Sequence, residues 1–154
     1  MKGRMFLSAT LASGLLMAGT TLAQESEKKV SLKQLPPAVQ AAVKEQSRGA
    51  QIRGLAKETE KGQTFYEVEL KVNGHNKDVL IDESGKVVSV EEQVPLDSLP
   101  AAVKAEIQKQ AGKGRIALIE SVTRDGTLAY YEAQIKGGGR KREVKVSPDG
   151  TPMK

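Results

Sequence analysis

The 154-residue chain repeats itself, and that repetition limits its fold more than any single motif does. Leu35-Pro36-Pro37-Ala38-Val39-Gln40-Ala41-Ala42-Val43 returns as Leu99-Pro100-Ala101-Ala102-Val103-Lys104-Ala105-Glu106-Ile107, a shift of 64 that also aligns Leu32 with Leu96, Ile52 with Ile116 and Gly62 with Gly126. One extra residue near Leu128-Ala129 moves the shift to 65, which places Tyr66-Glu67 on Tyr131-Glu132, Gly74 on Gly139, Val79 on Val144 and Gly85 on Gly150. Matches spread over the whole unit, prolines and glycines included, mean duplication of one supersecondary module.

Within a unit the hydrophobic period changes once. Leu35, Val39, Ala42 and Val43 form a helical stripe, with Pro36 tolerated in the first turn and Gly49 as the stop. From Ile52 the period is two. Ile52 to Glu60 reads as a strand, Lys61-Gly62-Gln63 as a turn, and Thr64 to Val72 as a strand with Tyr66, Val68, Leu70 and Val72 on one face. Asn73-Gly74 is a type I′ hairpin signal, Lys77 to Ile81 the next strand, and Lys86 to Glu91 a fourth, with Val88 and Val90 inward. The second unit repeats the order: Leu99, Val103 and Ile107 on the helix, then strands at Arg115 to Thr123, Tyr130 to Ile135 and Arg142 to Val146. Its last strand is reduced to the few residues after Pro148-Asp149-Gly150, with Pro152 unable to donate to a ladder, so the sheet is expected to end on an open edge. The fold class is α+β: two tandem α-β-β-β-β units, each a helix on an antiparallel meander, sharing one sheet, the second truncated in its last strand.

The N-terminus reads differently. Lys2 and Arg4 precede a mostly apolar run from Met5 to Met17, and Thr21-Leu22-Ala23 suits signal peptidase. Residues 1–23 are therefore read as a secretory signal, 24–30 as a flexible lead-in, 31–94 as the first repeat and 95–154 as the second. The apolar run is too short and too broken for a bilayer span. The expected location is the periplasm or the exterior, without stable membrane insertion after cleavage. Losing Lys2 and Arg4 lowers the net charge from +5 to +3, a mild bias that, with few aromatics for stacking, argues against nucleic acid. With no cysteine, no tryptophan, two Phe and three Tyr, stability must come from an aliphatic core, expected to be shared by both repeats.

Leu-Pro-x-Ala-Val, the strand Tyr66-Glu67-Val68-Glu69-Leu70 and the closing turn Asp82 to Gly85 resemble the PepSY-like family, also described as β-lactamase-inhibitor-like, here present twice over about Ser31 to Gly150. The resemblance implies a helix packed on an antiparallel sheet, tandem copies forming one continuous concave sheet, export, and a role in protein binding or inhibition, including the inhibition associated with peptidase propeptides.

No residue pattern points to an enzyme, a cofactor or a metal. His75 stands alone in a hairpin tip, and Asp82-Glu83-Ser84 lacks the bidentate glutamate of a calcium loop. Glu67, Glu69 and Glu132 have no nucleophile or oxyanion hole near them and read as the wet face of strands. The candidates for partner binding are Phe65 and Tyr130, aromatic residues at matching outward positions, and the basic hairpin of Lys136, Arg140, Lys141 and Arg142. Val144 joins them, because its strand is expected to form the open edge. The function expected is a non-catalytic binding module that inhibits or regulates an exported protein such as a peptidase. The alternative is an envelope-associated module that holds an anionic polymer or surface through the basic hairpin.

Overall fold

A computed structural model describes residues 26–153; the expected signal segment lies outside the described residues. The elements are β1 (Ser26–Lys29), α1 (Pro37–Gln46), β2 (Gln51–Glu60), β3 (Gln63–Val72), β4 (His75–Asp82), β5 (Val87–Gln93), α2 (Ala101–Ala111), β6 (Arg115–Arg124), β7 (Thr127–Gly137), β8 (Arg140–Val146) and β9 (Pro152–Met153). The strands form one nine-stranded sheet in chain order, and every neighbouring pair is antiparallel. Two-residue turns make four of the eight strand connections. Lys61-Gly62, Asn73-Gly74, Asp125-Gly126 and Gly138-Gly139 all have positive φ at both positions, the type I′ geometry that matches strand twist.

Cross-strand register shows that both helices lie on one face. Val68 sits opposite Val79, Val79 opposite Val90 and Val90 opposite Thr123. Ile119, on the same side of β6 as Thr123 by alternation, sits opposite Ala133, and Ala133 opposite Val144. Val39 and Val43 of α1 pack into the cluster of Val68, Leu70, Val79 and Ile81. Val103 and Ile107 of α2 pack into the cluster of Ile119, Ala133, Ile135 and Val146. The expected packing of a helix on the meander thus holds in each unit. The expected single shared core does not: each helix spans only its own unit's strands, so there are two apolar clusters joined through the β5–β6 ladder.

The extra residue of the second unit is a β-bulge. Val122 pairs with Tyr130 but Thr123 pairs with Leu128, leaving Ala129 unpaired. Both copies share a further bulge, at Arg53 between the Ile52 and Gly54 pairs and at Ala117 between the Ile116 and Leu118 pairs. In β5 an irregularity sets Ile81 opposite Val87, so Val87 rather than Val88 joins Val90 beside the core.

Two expectations about the ends need correction. The lead-in at 24–30 is not loose throughout, because Ser26–Lys29 form β1 and pair with β2. Its lysines suit an edge strand. At the other end β9 is indeed short, but Pro152 costs the ladder nothing. Ser147 N–H donates to the Thr151 carbonyl, so by alternation the amides of Lys145, Glu143 and Lys141 also point outward, while those of Val146, Val144 and Arg142 point to β7. Pro152 sits opposite Val146, a pair that needs no donor from it.

Candidate functional site

The seven residues expected to bind a partner do not converge. Phe65 is half-buried and Tyr130 buried; they share the helix-free face but lie four strands apart, roughly 19 Å at ~4.8 Å per strand. Tyr130 is not the accessible anchor expected. The Arg124 guanidinium and the Lys145 ammonium stand 5.4 and 5.0 Å from its ring centre, and Arg124 donates to its hydroxyl at 3.3 Å. Val144 is not an edge contact either. Its side chain is buried in the α2 cluster and its amide faces β7.

The basic hairpin divides between the two faces. Lys136 and Lys141 are exposed and directly opposite each other on the helix-free face. Arg140 and Arg142, by alternation, lie on the helix side, where with Lys113 they line a shallow depression of about 250 Å³ beside the end of α2. Arg142 is already engaged: its guanidinium donates to the carbonyls of Gln110 and Ala111, the last turn of α2, where a cation offsets the helix dipole.

What the tertiary structure assembles instead is a carboxylate array on the helix-free face. Glu69 lies opposite Asp78 and Asp78 opposite Glu91, three acids in register on β3, β4 and β5. Glu120 lies opposite Glu132, and Glu132 opposite Lys145, whose ammonium it meets at 3.2 Å. Glu27 lies opposite Glu58, and Glu67 stands two residues from Glu69 on the same side of β3. Like charges directly opposite one another destabilise a sheet, so this arrangement is a cost to the fold. Alternating acids in single strands gave a sign of it, but only the register shows that acids face acids.

The face is not a flat, wet surface. No helix covers it, yet Glu67 and Glu120 are each only 5% exposed, and Val122, two residues from Glu120, and Tyr130, opposite Val122, are buried as well. Glu67 therefore departs from the solvated reading. Burial, then a hydrogen bond with Glu58, then the charges of Glu58, Asp78 and Glu69 push its carboxyl up to about 9, so at neutral pH it carries a proton. Burial and the charges of Glu120, Glu132 and Asp78 push Glu91 up to about 7, against a small opposing effect of Lys145. Glu67 Oε1 is buried without a hydrogen-bond partner among the described residues. Gly54 makes room for its neighbour: a Cβ there would come within 2.7 Å of Glu69 Oε2. Lys71 closes one end of the array, donating to Asn76 Oδ1 at 2.9 Å. Among the described residues no three His, Cys, Asp or Glu side chains are grouped to hold a metal ion.

Comparison with known proteins agrees with this architecture. The chain is similar in fold to a DUF2874 family protein from Bacteroides ovatus, with TM-score 0.63 and 21% identity over 79% of this chain and 86% of that one. It is similar to a protein from Bacteroides eggerthii described as a candidate periplasmic protein, with TM-score 0.65 and 21% identity over 78% and 86% of the two chains. A BLIP-like protein from Bacteroides fragilis superposes with TM-score 0.59 at 17% identity over 78% and 84%. No curated relative matches the sequence. Among the described residues no helix is long and apolar enough to cross a membrane. The profile of the PepSY-like family, described as β-lactamase-inhibitor-like, matches residues 22–89 and again 74–153, so the chain belongs to that family, with two copies of its unit.

Proposed function

We propose that the protein is an exported, non-catalytic binding module that presents the helix-free face of its sheet to another exported protein and regulates or inhibits it. The observation carrying this reading is the placement of both helices on one face, which leaves the other face of nine strands uncovered although it holds buried Val122, Tyr130, Glu67 and Glu120. Like-charge pairs retained across that face are a stability cost that binding would explain. The candidate periplasmic description of the Bacteroides eggerthii neighbour, the signal-like residues 1–23 and the family's inhibitor-like description support export and a regulatory role. The basic hairpin is the weaker candidate, since Arg142 is held on α2.

Ser89 tests the reading. It lies mid-face, opposite Leu80 and Arg124, and is uncharged. Ser89→Tyr should block capture of the partner from an envelope extract by steric bulk alone, whereas Lys136→Glu with Lys141→Glu should leave capture intact. The reverse result would move the function to the hairpin.

A further inference from the structure

We infer that the open stretch of β8, Arg140 to Val144, is a docking edge for an extended acidic segment, which adds to the sheet as a strand and sets carboxylates at alternate positions against Arg140 and Arg142. The site lies apart from the centre of the helix-free face, so its ligand binds independently of the capture proposed there.

Backbone geometry carries the first part. On one side β8 is paired with β7 along its whole length, from Arg140 to Val146. On the other side β9 pairs with it only at Lys145 and Val146, so the ladder stops in mid-strand. The amides of Lys141 and Glu143 point outward there, and in an antiparallel ladder the carbonyls of the same residues do too. These backbone groups meet no described strand, and they have the spacing that a further antiparallel strand uses. An open stretch of this kind accepts an added strand through main-chain hydrogen bonds.

Charge selects the occupant. Arg140 and Arg142 lie on the helix side of β8, and Lys113 joins them around the depression of about 250 Å³ beside α2. Residues opposite the two arginines in an added antiparallel strand fall at non-hydrogen-bonded positions, where Cα atoms are ~4.5 Å apart and side chains meet closely. A carboxylate opposite Arg140 matches the guanidinium fork. Arg142 commits only Nη2 to the Gln110 and Ala111 carbonyls, which leaves Nε and Nη1 for a second carboxylate. Lys113 and Arg140 are exposed and enter none of the ion pairs among the described residues. The internal repeat supplies a comparison. At the matching positions of the first unit stand Gly49, His75 and Lys77, and there the corresponding strand, β4, is covered on both sides by β3 and β5. The full set of cations belongs to the copy whose strand is open.

An NMR titration at low ionic strength tests this with the capped pentapeptide Val-Thr-Glu-Thr-Glu, both of whose acids can face the helix side. The parent should bind it, and solvent exchange of the Lys141 and Glu143 amides should slow at least tenfold. Glu143→Pro, which removes one outward donor, should weaken binding at least fivefold, as should Arg140→Gln with Lys113→Gln, while Ser89→Tyr should bind like the parent. The peptide Glu-Glu-Thr-Val-Thr has the same composition but can set only one acid on the helix side, and it should bind at least fivefold more weakly. No binding by the parent, equal binding of the two peptides, or equal binding by the Arg140→Gln, Lys113→Gln variant would each overturn the inference. So would binding that leaves the two amides unprotected, the sign of charge attraction alone, or attachment to phosphatidylglycerol vesicles with no response to the peptide. If Glu143→Pro loses the fold, the double variant and the amide protection decide alone.

Discussion

A methyl group placed on Gly85 would lie 2.8 Å from the carbonyl oxygen of Ala38, in the first turn of α1. The second unit repeats the contact, with a Cβ on Gly150 reaching within 2.7 Å of the Ala102 Cβ. Both glycines also have positive φ, 87° and 91°. The turn after the third strand of each four-strand meander is thus the seat on which the helix start rests, which explains why Leu-Pro-x-Ala and Asp-x-x-Gly turn up in the same family motif. Gly85→Ala should cost about 2 kcal/mol or more through left-handed strain and the backbone clash, read as a lower denaturant midpoint with an unchanged slope.

The two separate clusters make the units independently vulnerable. Val39 and Val103 are both fully buried, and Val39→Ala or Val103→Ala should each destabilise by about 1–3 kcal/mol through lost burial and a residual cavity. Because the two apolar clusters share no residue, hydrogen exchange in Val39→Ala should rise most in β3 and β4 and least in β7 and β8. Equal loss of protection across all strands would show that the sheet couples the cores more tightly than the packing implies.

Stability should fall as pH rises through neutrality. Glu67 and Glu91 are carboxyls whose folded pKa values, about 9 and about 7, exceed the ordinary 4.5. Between the ordinary value and the raised one the folded state holds more protons than the unfolded state, so the slope of unfolding free energy with pH is negative. The melting temperature should therefore decline from pH 5 to pH 8, and Glu67→Gln should flatten much of that decline. A profile that rises over this range would contradict the burial of Glu67.

Within the basic hairpin, charge and structure can be separated. Arg142→Ala removes the donor to the Gln110 and Ala111 carbonyls and should cost about 1 kcal/mol. Lys141→Ala, at an exposed position, should stay within about 0.5 kcal/mol of the parent. Thermal denaturation of the two variants side by side checks the difference.

The open edge yields a contrast between adjacent residues. Val144→Pro would delete an amide that points to β7 and should destabilise by about 3 kcal/mol. Glu143→Pro would delete one that points away from the sheet, and should leave the fold within about 1 kcal/mol of the parent. Circular dichroism melts decide it, and the same Glu143→Pro variant also reports whether any partner strand adds at this edge.

The repeat, the helix stripes of Val39 and Val103, the Asn73-Gly74 turn and the short final strand were all legible along the chain, because each depends on residues within one element or one turn. The Ala129 bulge was visible as a single shift of repeat register. Strand β1 was not, because Ser26-Glu27-Lys28-Lys29 has no apolar alternation and becomes a strand only because the edge of β2 offers it hydrogen bonds. The site was hidden for the same kind of reason. Glu67, Glu69, Asp78, Glu91, Glu120 and Glu132 each look like the solvated position of an isolated strand, and the local pattern says only that they alternate with core residues. Which acid meets which is decided by the register of five strands, β3 to β7, drawn from both units. Only there does like charge face like charge, and only there does burial leave Glu67 protonated, since desolvation depends on neighbours that no local sequence window contains.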